Sequence, residues 1–199
     1  MSNKALVWVR DDFRINNNDA LIYASNNHDL VTVVFIFNNN TFDNKREAQK
    51  WWLSKSLESF RSDLKKLNIG LEIIKDDEIN FFSKLKSNNK ISVYWNKVYE
   101  PAELDKDKKI GKDLTDKKID FKFFKGNVLN EYNKITKNDG TPFKVYSPFW
   151  RNAEQYYLER LPDKINKIKK CKKIEVLFKK QIKSEEILPK SKWYMKFEK

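Results

Sequence analysis

Short apolar runs alternate along this chain with longer stretches in which apolar residues recur every three or four positions. The short runs predict five strands, at residues 5–9, 31–37, 71–74, 91–95 and 119–124. The first two are continuously apolar except for Thr32, which is typical of strands buried on both faces of a parallel sheet.

The stretches with helical spacing predict five helices, at residues 19–26, 45–67, 77–86, 102–118 and 147–161. Asp19 is expected to cap the first helix, and Gly70 to end the second. Ser147 and Pro148 suit the cap and first turn of the last helix. Strands that alternate with helices indicate βαβ units with right-handed crossovers, and so an α/β fold with a mainly parallel sheet.

The composition indicates a positive electrostatic field but does not identify a specific binding partner. The chain has 199 residues, enough for one domain with a tail, and a formal net charge of +13. Lysine supplies 35 of its 41 basic residues. Readers of nucleic-acid sequence favour arginine, whose planar fork matches phosphate and guanine. We therefore expect at most non-specific binding of DNA, with a steep salt dependence.

Several common classes of site are excluded by what the sequence lacks. One histidine, His28, argues against a catalytic triad or a multi-histidine metal site, and one cysteine, Cys171, against a disulfide or a zinc cluster, so no metal is expected. The four glycines lie at least 14 positions apart, so neither a Walker loop nor a dinucleotide fingerprint is present. The longest apolar run is 31–37, far short of the roughly 20 residues of a membrane span, and no signal peptide is evident. A cytoplasmic protein without membrane contact is expected.

Ligands of parallel α/β sheets bind beyond the carboxyl ends of the strands. That rule directs attention to residues 10–18, 35–38 and 95–103. In the last of these, Trp95 and Tyr99 suit stacking on a planar heterocycle, and Glu100 could accept a hydrogen bond from a ring N–H. The alternative, which we favour from the residues alone, is that both aromatic rings belong to the core.

Five segments resemble the DNA photolyase/cryptochrome family. They include Trp8-Val9-Arg10-Asp11-Asp12-Phe13-Arg14 and the segment from Gly140 to Trp150, and the set is 8–14, 51–57, 93–101, 140–150, and Leu188-Pro189 with Trp193. They occur in the family's order and cover nearly the whole chain.

The resemblance implies a particular fold and domain organisation. The family's N-terminal domain is a flavodoxin-like, or Rossmann-like, α/β domain with strand order 3-2-1-4-5, and it holds a light-harvesting antenna chromophore. A following helical domain binds FAD and repairs pyrimidine dimers. On this basis residues 1–174 are expected to form the antenna domain and 175–199 the linker to an FAD-binding helical domain, which is either missing or a separate chain.

The resemblance also transfers a candidate chromophore site. Glu103 matches an acidic residue that holds the pterin ring in folate-binding relatives, so methenyltetrahydrofolate is the expected antenna. Ala102 replaces an amide of some relatives. Asp11 and Val98 both depart from the deazaflavin-binding pattern, which argues against that chromophore. The expected cofactor-binding residues are Glu103, Asn96, Glu100, Phe35 and Arg10; Phe35 matches an aromatic residue of the deazaflavin-type pocket and is otherwise a core residue.

Three functions are compatible with the sequence. The first is the antenna domain of a photolyase, without catalysis of its own. The second is a fragment of a cryptochrome-like photoreceptor, and the third an unrelated nucleotide-binding α/β enzyme. The absence of a phosphate-cradling glycine loop weighs against the third.

Overall fold

A computed structural model describes residues 4–38, 46–128, 130–158 and 167–198. Its strands are β1 (Lys4–Val9), β2 (Leu30–Phe37), β3 (Gly70–Lys75), β4 (Ile91–Asn96) and β5 (Phe121–Phe124). Its α-helices are α1 (Asp19–Asn27), α2 (Glu47–Lys66), α3 (Glu78–Ser83), α4 (Pro101–Asp116) and α5 (Tyr146–Leu158). Short 3-10 helices lie at Ser87–Asn89, Tyr132–Lys134, Ser184–Ile187 and Trp193–Phe197.

The five strands form one parallel sheet in the order β3-β2-β1-β4-β5, which confirms the predicted α/β class and topology. Strand β1 lies at the centre, with Trp8 opposite Val34 on β2 and Trp95 on β4. The carboxyl ends of β1, β2 and β4 therefore lie at one edge of the sheet, which we call the carboxyl edge.

Each face of the sheet is covered by helices. On one face, side chains of α1 and α2, among them Leu21, Leu57 and Phe60, pack against alternate residues of the strands. On the other face, Phe82 of α3 and Leu114 of α4 pack in the same way. Because every second residue of a strand points to the opposite face, the two cores are separate and the three central strands are buried on both sides.

Local chemistry moves several predicted helix ends. Asn18, not Asp19, caps α1: its side chain accepts a hydrogen bond from the Leu21 N–H. Helix α2 ends before Gly70, because Asn68 takes the left-handed conformation (φ 57°) that was expected of glycine. Helix α5 begins at Tyr146, one residue before the predicted cap Ser147. The predicted end of α5 near residue 161 lies outside the described residues.

Helices α3 and α4 also differ in length from their predictions. The structure ends α3 at Ser83, three residues before its predicted end, because the chain turns at Lys84 instead of continuing. Helix α4 begins at Pro101, which provides the fixed φ angle suited to a first turn. Strand β5 begins at Phe121, two residues later than predicted. No helix within the described residues is long and apolar enough to span a membrane.

Residues 167–198, which we call the C-terminal strap, pack along the outside of this domain. The Cys171 N–H donates to the Leu67 carbonyl (2.9 Å), and the Ser54 hydroxyl to the Ser184 carbonyl (2.8 Å). Ile187 of the strap is 2% exposed and belongs to the core on the α1–α2 face. The division of the chain at residues 174 and 175 stays a prediction.

A buried carboxylate anchors the middle of the strap. Glu72, on the edge strand β3, is 2% exposed and accepts hydrogen bonds from the Leu177 N–H (2.6 Å) and the Phe178 N–H (2.9 Å). Burial raises the pKa of Glu72 above its usual value, and the two backbone donors act against that rise. Both donors would lose their acceptor if this side chain were shortened.

We expect Glu72→Ala to lower the free energy of unfolding by about 2–3 kcal/mol, because two partly buried N–H groups lose their acceptor. Urea denaturation measures this change. Trypsin should also cut faster after Lys179 and Lys180, next to the released anchor. The exposed Glu185 offers the control Glu185→Ala, which should change neither quantity. Equal effects of the two variants would contradict the role of Glu72 as the anchor of the strap.

Candidate functional site

The side chain of Arg10 organises the carboxyl edge. Arg10 follows the last residue of β1, and its guanidinium lies 4.3 Å from the ring centre of Trp8. It binds Asp107 of α4 in bidentate fashion (Nη1 to Oδ1 2.8 Å, Nη2 to Oδ2 3.2 Å) and donates to the Asn96 carbonyl (2.7 Å). One side chain therefore joins β1, β4 and α4.

Asp107 is the buried partner that sequence reasoning missed. Its side chain is 11% exposed and that of Arg10 10%. The Trp95 Nε1–H also donates to it (3.0 Å). Burial raises the pKa of Asp107, while the charge of Arg10 and these hydrogen bonds oppose the rise. Arg10 and Asp107 therefore neutralise each other beside the second turn of α4. Loss of either partner would leave the other charge buried and uncompensated.

Glu103 lies one turn before Asp107 on the same helix. Its Oε1 accepts a hydrogen bond from Lys106 (2.8 Å), and its Oε2 lies 3.4 Å from Arg10 Nη1. Lys106 continues the network to Glu78 at 3.3 Å. A carboxylate has about four acceptor positions, and the side chain is 24% exposed. Glu103 therefore has exposed acceptor capacity in addition to its two cationic neighbours.

Asn96 is committed to the protein's own backbone and side chains. It is 8% exposed, and its Nδ2 donates to Asp12 Oδ2 (2.5 Å) and to Asn18 Oδ1 (2.8 Å). Its Oδ1 accepts from the Ala20 N–H (3.0 Å). Asn96 thereby ties the end of β4 to the turn after β1 and to the start of α1.

The structure brings together three of the five predicted site residues. Arg10, Asn96 and Glu103 are linked through the Arg10 guanidinium. Glu100 is exposed at the start of α4, where its carbonyl accepts from the Leu104 N–H. Phe35 lies apart, in the core on the α1–α2 face, where its ring meets the edge of Phe13 at 5.5 Å.

The two aromatic residues considered for stacking have different surroundings. Trp95 is fully buried and stacks on Phe121 at 5.5 Å, so it is a core residue, as favoured from the sequence. Tyr99 is half-buried, and its hydroxyl donates to Glu131 (3.0 Å) and accepts from the Gly126 N–H (3.3 Å). A Cβ at Gly126 would overlap the carbonyl oxygen of Lys97, so glycine permits this close approach.

Three openings lie beside the turn after β1. Between that turn and the end of β4 is a cavity of about 80 Å³, lined in part by Asp12 and Lys97. On the α2 side is an open cleft of about 550 Å³, which we call the aromatic cleft. Its lining residues are Asp11, Phe13, Ala48, Gln49, Trp51, Trp52, Leu53, Ser56 and Trp193. An adjoining opening of about 500 Å³ is lined by residues 11–14 together with Trp52, Lys55, Ser56 and Ser59. The cleft and this opening both have the volume of a typical ligand site, about 300–1,000 Å³.

The C-terminal strap forms one wall of the aromatic cleft. Trp193 lies 6.0 Å from Trp51, ring centre to ring centre, and the Trp51 Nε1–H donates to Glu198 (3.0 Å). Lys55 pairs with the same carboxylate at 2.9 Å. The hydrogen bonds from Lys55 and Trp51 lower the pKa of Glu198. Trp52 is 67% exposed at the mouth of the cleft. Among the described residues, no group of three or more His, Cys, Asp and Glu side chains is arranged to hold a metal ion.

We expect Arg10→Met to lower the free energy of unfolding by about 3 kcal/mol at pH 7.5, since Asp107 would remain buried without its cation. The loss should be smaller at pH 5. Burial without Arg10 raises the pKa of Asp107 further, so the folded state gains a proton more readily than the unfolded state, and stability falls as pH rises through that interval.

Urea denaturation at the two pH values measures this difference. Arg14→Met is the control, because Arg14 is exposed and its guanidinium donates to the Asn17 carbonyl rather than to a carboxylate. If Arg10→Met lowered the free energy of unfolding equally at both pH values, the loss would not come from an uncompensated Asp107 carboxylate.

Comparisons with known proteins agree on one family. The family model described as DNA photolyase matches residues 5–167. A deoxyribodipyrimidine photo-lyase from Agrobacterium fabrum is 32% identical over 150 residues, covering 75% of this chain and 31% of that protein. Cryptochrome-2 from Arabidopsis thaliana is 28% identical over 164 residues, covering 80% of this chain and 26% of its own. The chain thus spans about a third or less of the length of these relatives.

Solved structures give the same result. A bacterial class III photolyase from Agrobacterium tumefaciens superimposes with a TM-score of 0.82 and 28% identity, covering the whole of this chain and 41% of its own. An archaeal photolyase from Sulfolobus tokodaii, solved with two FAD molecules, shares the fold at a TM-score of 0.70 and 20% identity, over 92% of this chain and 40% of its own. The family match over most of the chain, on a sheet of the expected topology, shows that this chain belongs to the DNA photolyase family, of which it contains the N-terminal α/β domain.

Proposed function

We propose that this domain is the light-harvesting part of a photolyase or cryptochrome. The observation that carries the proposal is the carboxyl edge itself: an aromatic cleft of about 550 Å³ and a partly exposed carboxylate lie on either side of the turn after β1. Aromatic walls stack on planar heterocycles, and a carboxylate accepts hydrogen bonds from their N–H groups. Since both photolyases and cryptochromes are among the relatives, the domain alone does not separate the two functions.

The chromophore we propose is a folate, methenyltetrahydrofolate, held through Glu103. When bound, it would absorb light and pass the excitation to a flavin. Of the chain's own residues, Glu103 would accept N–H bonds from the amino-pyrimidine edge, while Lys106 and Arg10 hold its carboxylate in place. Glu100 lies exposed at the start of the same helix, within the segment that would border the ring.

The geometry also sets a limit on where the rings can lie. The cavity beside Asn96 and Lys97 holds about 80 Å³, which is too small for a pterin, so the ligand would rest on the open surface near Glu103. The aromatic cleft is a second position, favoured by its volume and by Trp52 and Trp193. The side chain of Arg10 and the aromatic cleft face opposite sides of the turn, so single substitutions distinguish the two positions.

The FAD-binding helical domain is the proposed partner. The segment that most resembles the family, 140–150, leads into α5 and exposes large apolar side chains: Val145 is 64% exposed, Tyr146 70% and Trp150 37%. Tyr146 and Trp150 stack on each other at 6.4 Å. Exposed apolar groups of this size favour contact with another protein surface. The relatives are about three times as long as this chain, and we expect their remaining length to provide that surface.

We expect methenyltetrahydrofolate to bind the isolated chain no more tightly than about 1 μM, because association entropy must be offset by stacking and one charge-assisted contact. Glu103→Ala should weaken binding about tenfold, equivalent to about 1.4 kcal/mol. Fluorescence titration measures both affinities. The exposed Glu154 on α5 offers the matched control Glu154→Ala, with no expected effect.

The same titration tests the second position. If Trp52→Ala weakens binding while Glu103→Ala does not, the aromatic cleft is the site and the role of Glu103 is refuted. Trp150→Ala is the matched tryptophan control, since Trp150 lies on α5 outside the cleft. Failure of every variant to alter binding would refute a site at the carboxyl edge.

We further expect that the purified chain does not repair pyrimidine dimers under blue light, even with added FAD. The physical reason is that the flavin and the dimer are assigned by the resemblance to the helical domain, which lies outside the third of the relatives that this chain spans. Irradiated oligonucleotides provide the assay, and the Agrobacterium fabrum photolyase the positive control. Light-dependent loss of dimers with this chain alone would contradict the assignment.

A further inference from the structure

The start of the C-terminal strap concentrates positive charge. Residues 167–173 read Lys-Ile-Lys-Lys-Cys-Lys-Lys, and all five lysines are exposed. Residues 167–198 together contain 11 lysines and four acidic residues, a net charge of +7 out of +13 for the whole chain. A lysine-rich composition spread evenly over the surface would not place half of the excess in a sixth of the chain.

The backbone of this segment is fixed to the domain. The Lys169 N–H donates to the Ser25 hydroxyl (3.0 Å), and the Lys172 N–H to the Asp29 carbonyl (3.1 Å). Between them, Asn68 Nδ2 donates to the Cys171 carbonyl (3.0 Å). A charged segment held in this way loses little backbone freedom when it binds a partner.

The inward-facing residues give the lysines a regular spacing. Ile168 and Cys171 pack against the core on the α1–α2 face, and Ile174 lies against Gly70, so an apolar residue occurs at every third position. Lys167, Lys170 and Lys173 share one phase of this repeat, and we call them the lysine row. An extended chain with a three-residue repeat rises about 9 Å per repeat.

We propose that the lysine row binds the phosphate backbone of duplex DNA. Duplex DNA carries one phosphate charge per about 1.7 Å of its axis, so a row of three exposed lysines about 9 Å apart lies close to several phosphates wherever it meets the duplex. Lys172, in the other phase, pairs with Asp29 at 2.8 Å. The strap here presents no aromatic side chain among residues 167–176, which disfavours a lipid interface.

This surface is separate from the proposed chromophore site. Its hydrogen bonds go to Asp29 and to Leu67 and Asn68, which precede β2 and β3 and so lie at the amino ends of the strands. The inference therefore goes beyond light harvesting and does not depend on it. A variant of the lysine row should leave folate binding unchanged.

The test is fluorescence anisotropy of a labelled 20-base-pair duplex with the full chain, from 25 to 200 mM NaCl. The triple variant Lys167→Gln, Lys170→Gln, Lys173→Gln should lower affinity at least tenfold at 50 mM and reduce the slope of log K against log salt by about 2.7, at about 0.9 per phosphate contact. The control Lys179→Gln, Lys180→Gln, Lys190→Gln removes the same charge from exposed positions of the same strap. It should change affinity less than threefold.

Two further measurements make the result decisive. Acetylation mapped by mass spectrometry should show that the duplex protects the lysine row and not Lys179 or Lys180. If both triple variants weakened binding of the duplex equally, binding would depend on the total charge of the strap and not on the lysine row, which would overturn the proposal. Binding to phosphatidylserine vesicles without binding to the duplex would overturn it as well, and would assign the row to a membrane surface instead.

Discussion

The bidentate ion pair between Arg10 and Asp107 is the constraint on which the carboxyl edge depends. A guanidinium at the end of the central strand is buried to nine-tenths, and such a charge needs a carboxylate in a fixed orientation. Helix α4 supplies it and must therefore lie where Asp107 meets Arg10. The same helix then carries Glu103 to the surface one turn earlier, beside Lys106. The position of Glu103, the residue proposed to bind folate, thus follows from the Arg10–Asp107 ion pair, whose two charges are already used on each other.

A second constraint, the hydrogen bonds of Asn96, acts on the turn after β1. Asn96 uses its amide to hold Asp12, Asn18 and the Ala20 N–H, so the turn after β1 is fixed from β4. With one side closed by these bonds, the remaining open space lies towards α2. There the tryptophans of α2 and of the strap provide stacking surfaces without filling the volume. Rigidity on one side and an open aromatic wall on the other is the arrangement expected of a site that receives a flat ligand.

The sequence predicted the fold well because its signals are local. Short runs of four to seven residues, rich in apolar side chains, identified every strand, and the family resemblance supplied their order. Long-range contacts were beyond such signals. Arg10 and Asp107 are 97 positions apart, and Trp51 and Trp193 are farther apart still, so neither the ion pair nor the aromatic cleft has a sequence signature. Phe35 was predicted near the end of its strand, but the sequence did not predict which face of the sheet its side chain would occupy. The structure places it in the core on the α1–α2 face and not in the candidate site.

The C-terminal strap has a consequence for synthesis on the ribosome. Cys171 and Ile187 belong to a core whose other members precede residue 95, so that core has an open apolar flank until the strap has emerged. Translation proceeds at about 5–20 residues per second, so the 32 residues of the strap take roughly 2–6 s to appear. During that interval Leu67 and the edge strand β3 would lack the contacts that the strap provides. Slowing elongation over these codons would lengthen the exposure, and chaperone binding to stalled chains should end once the strap is outside the exit tunnel.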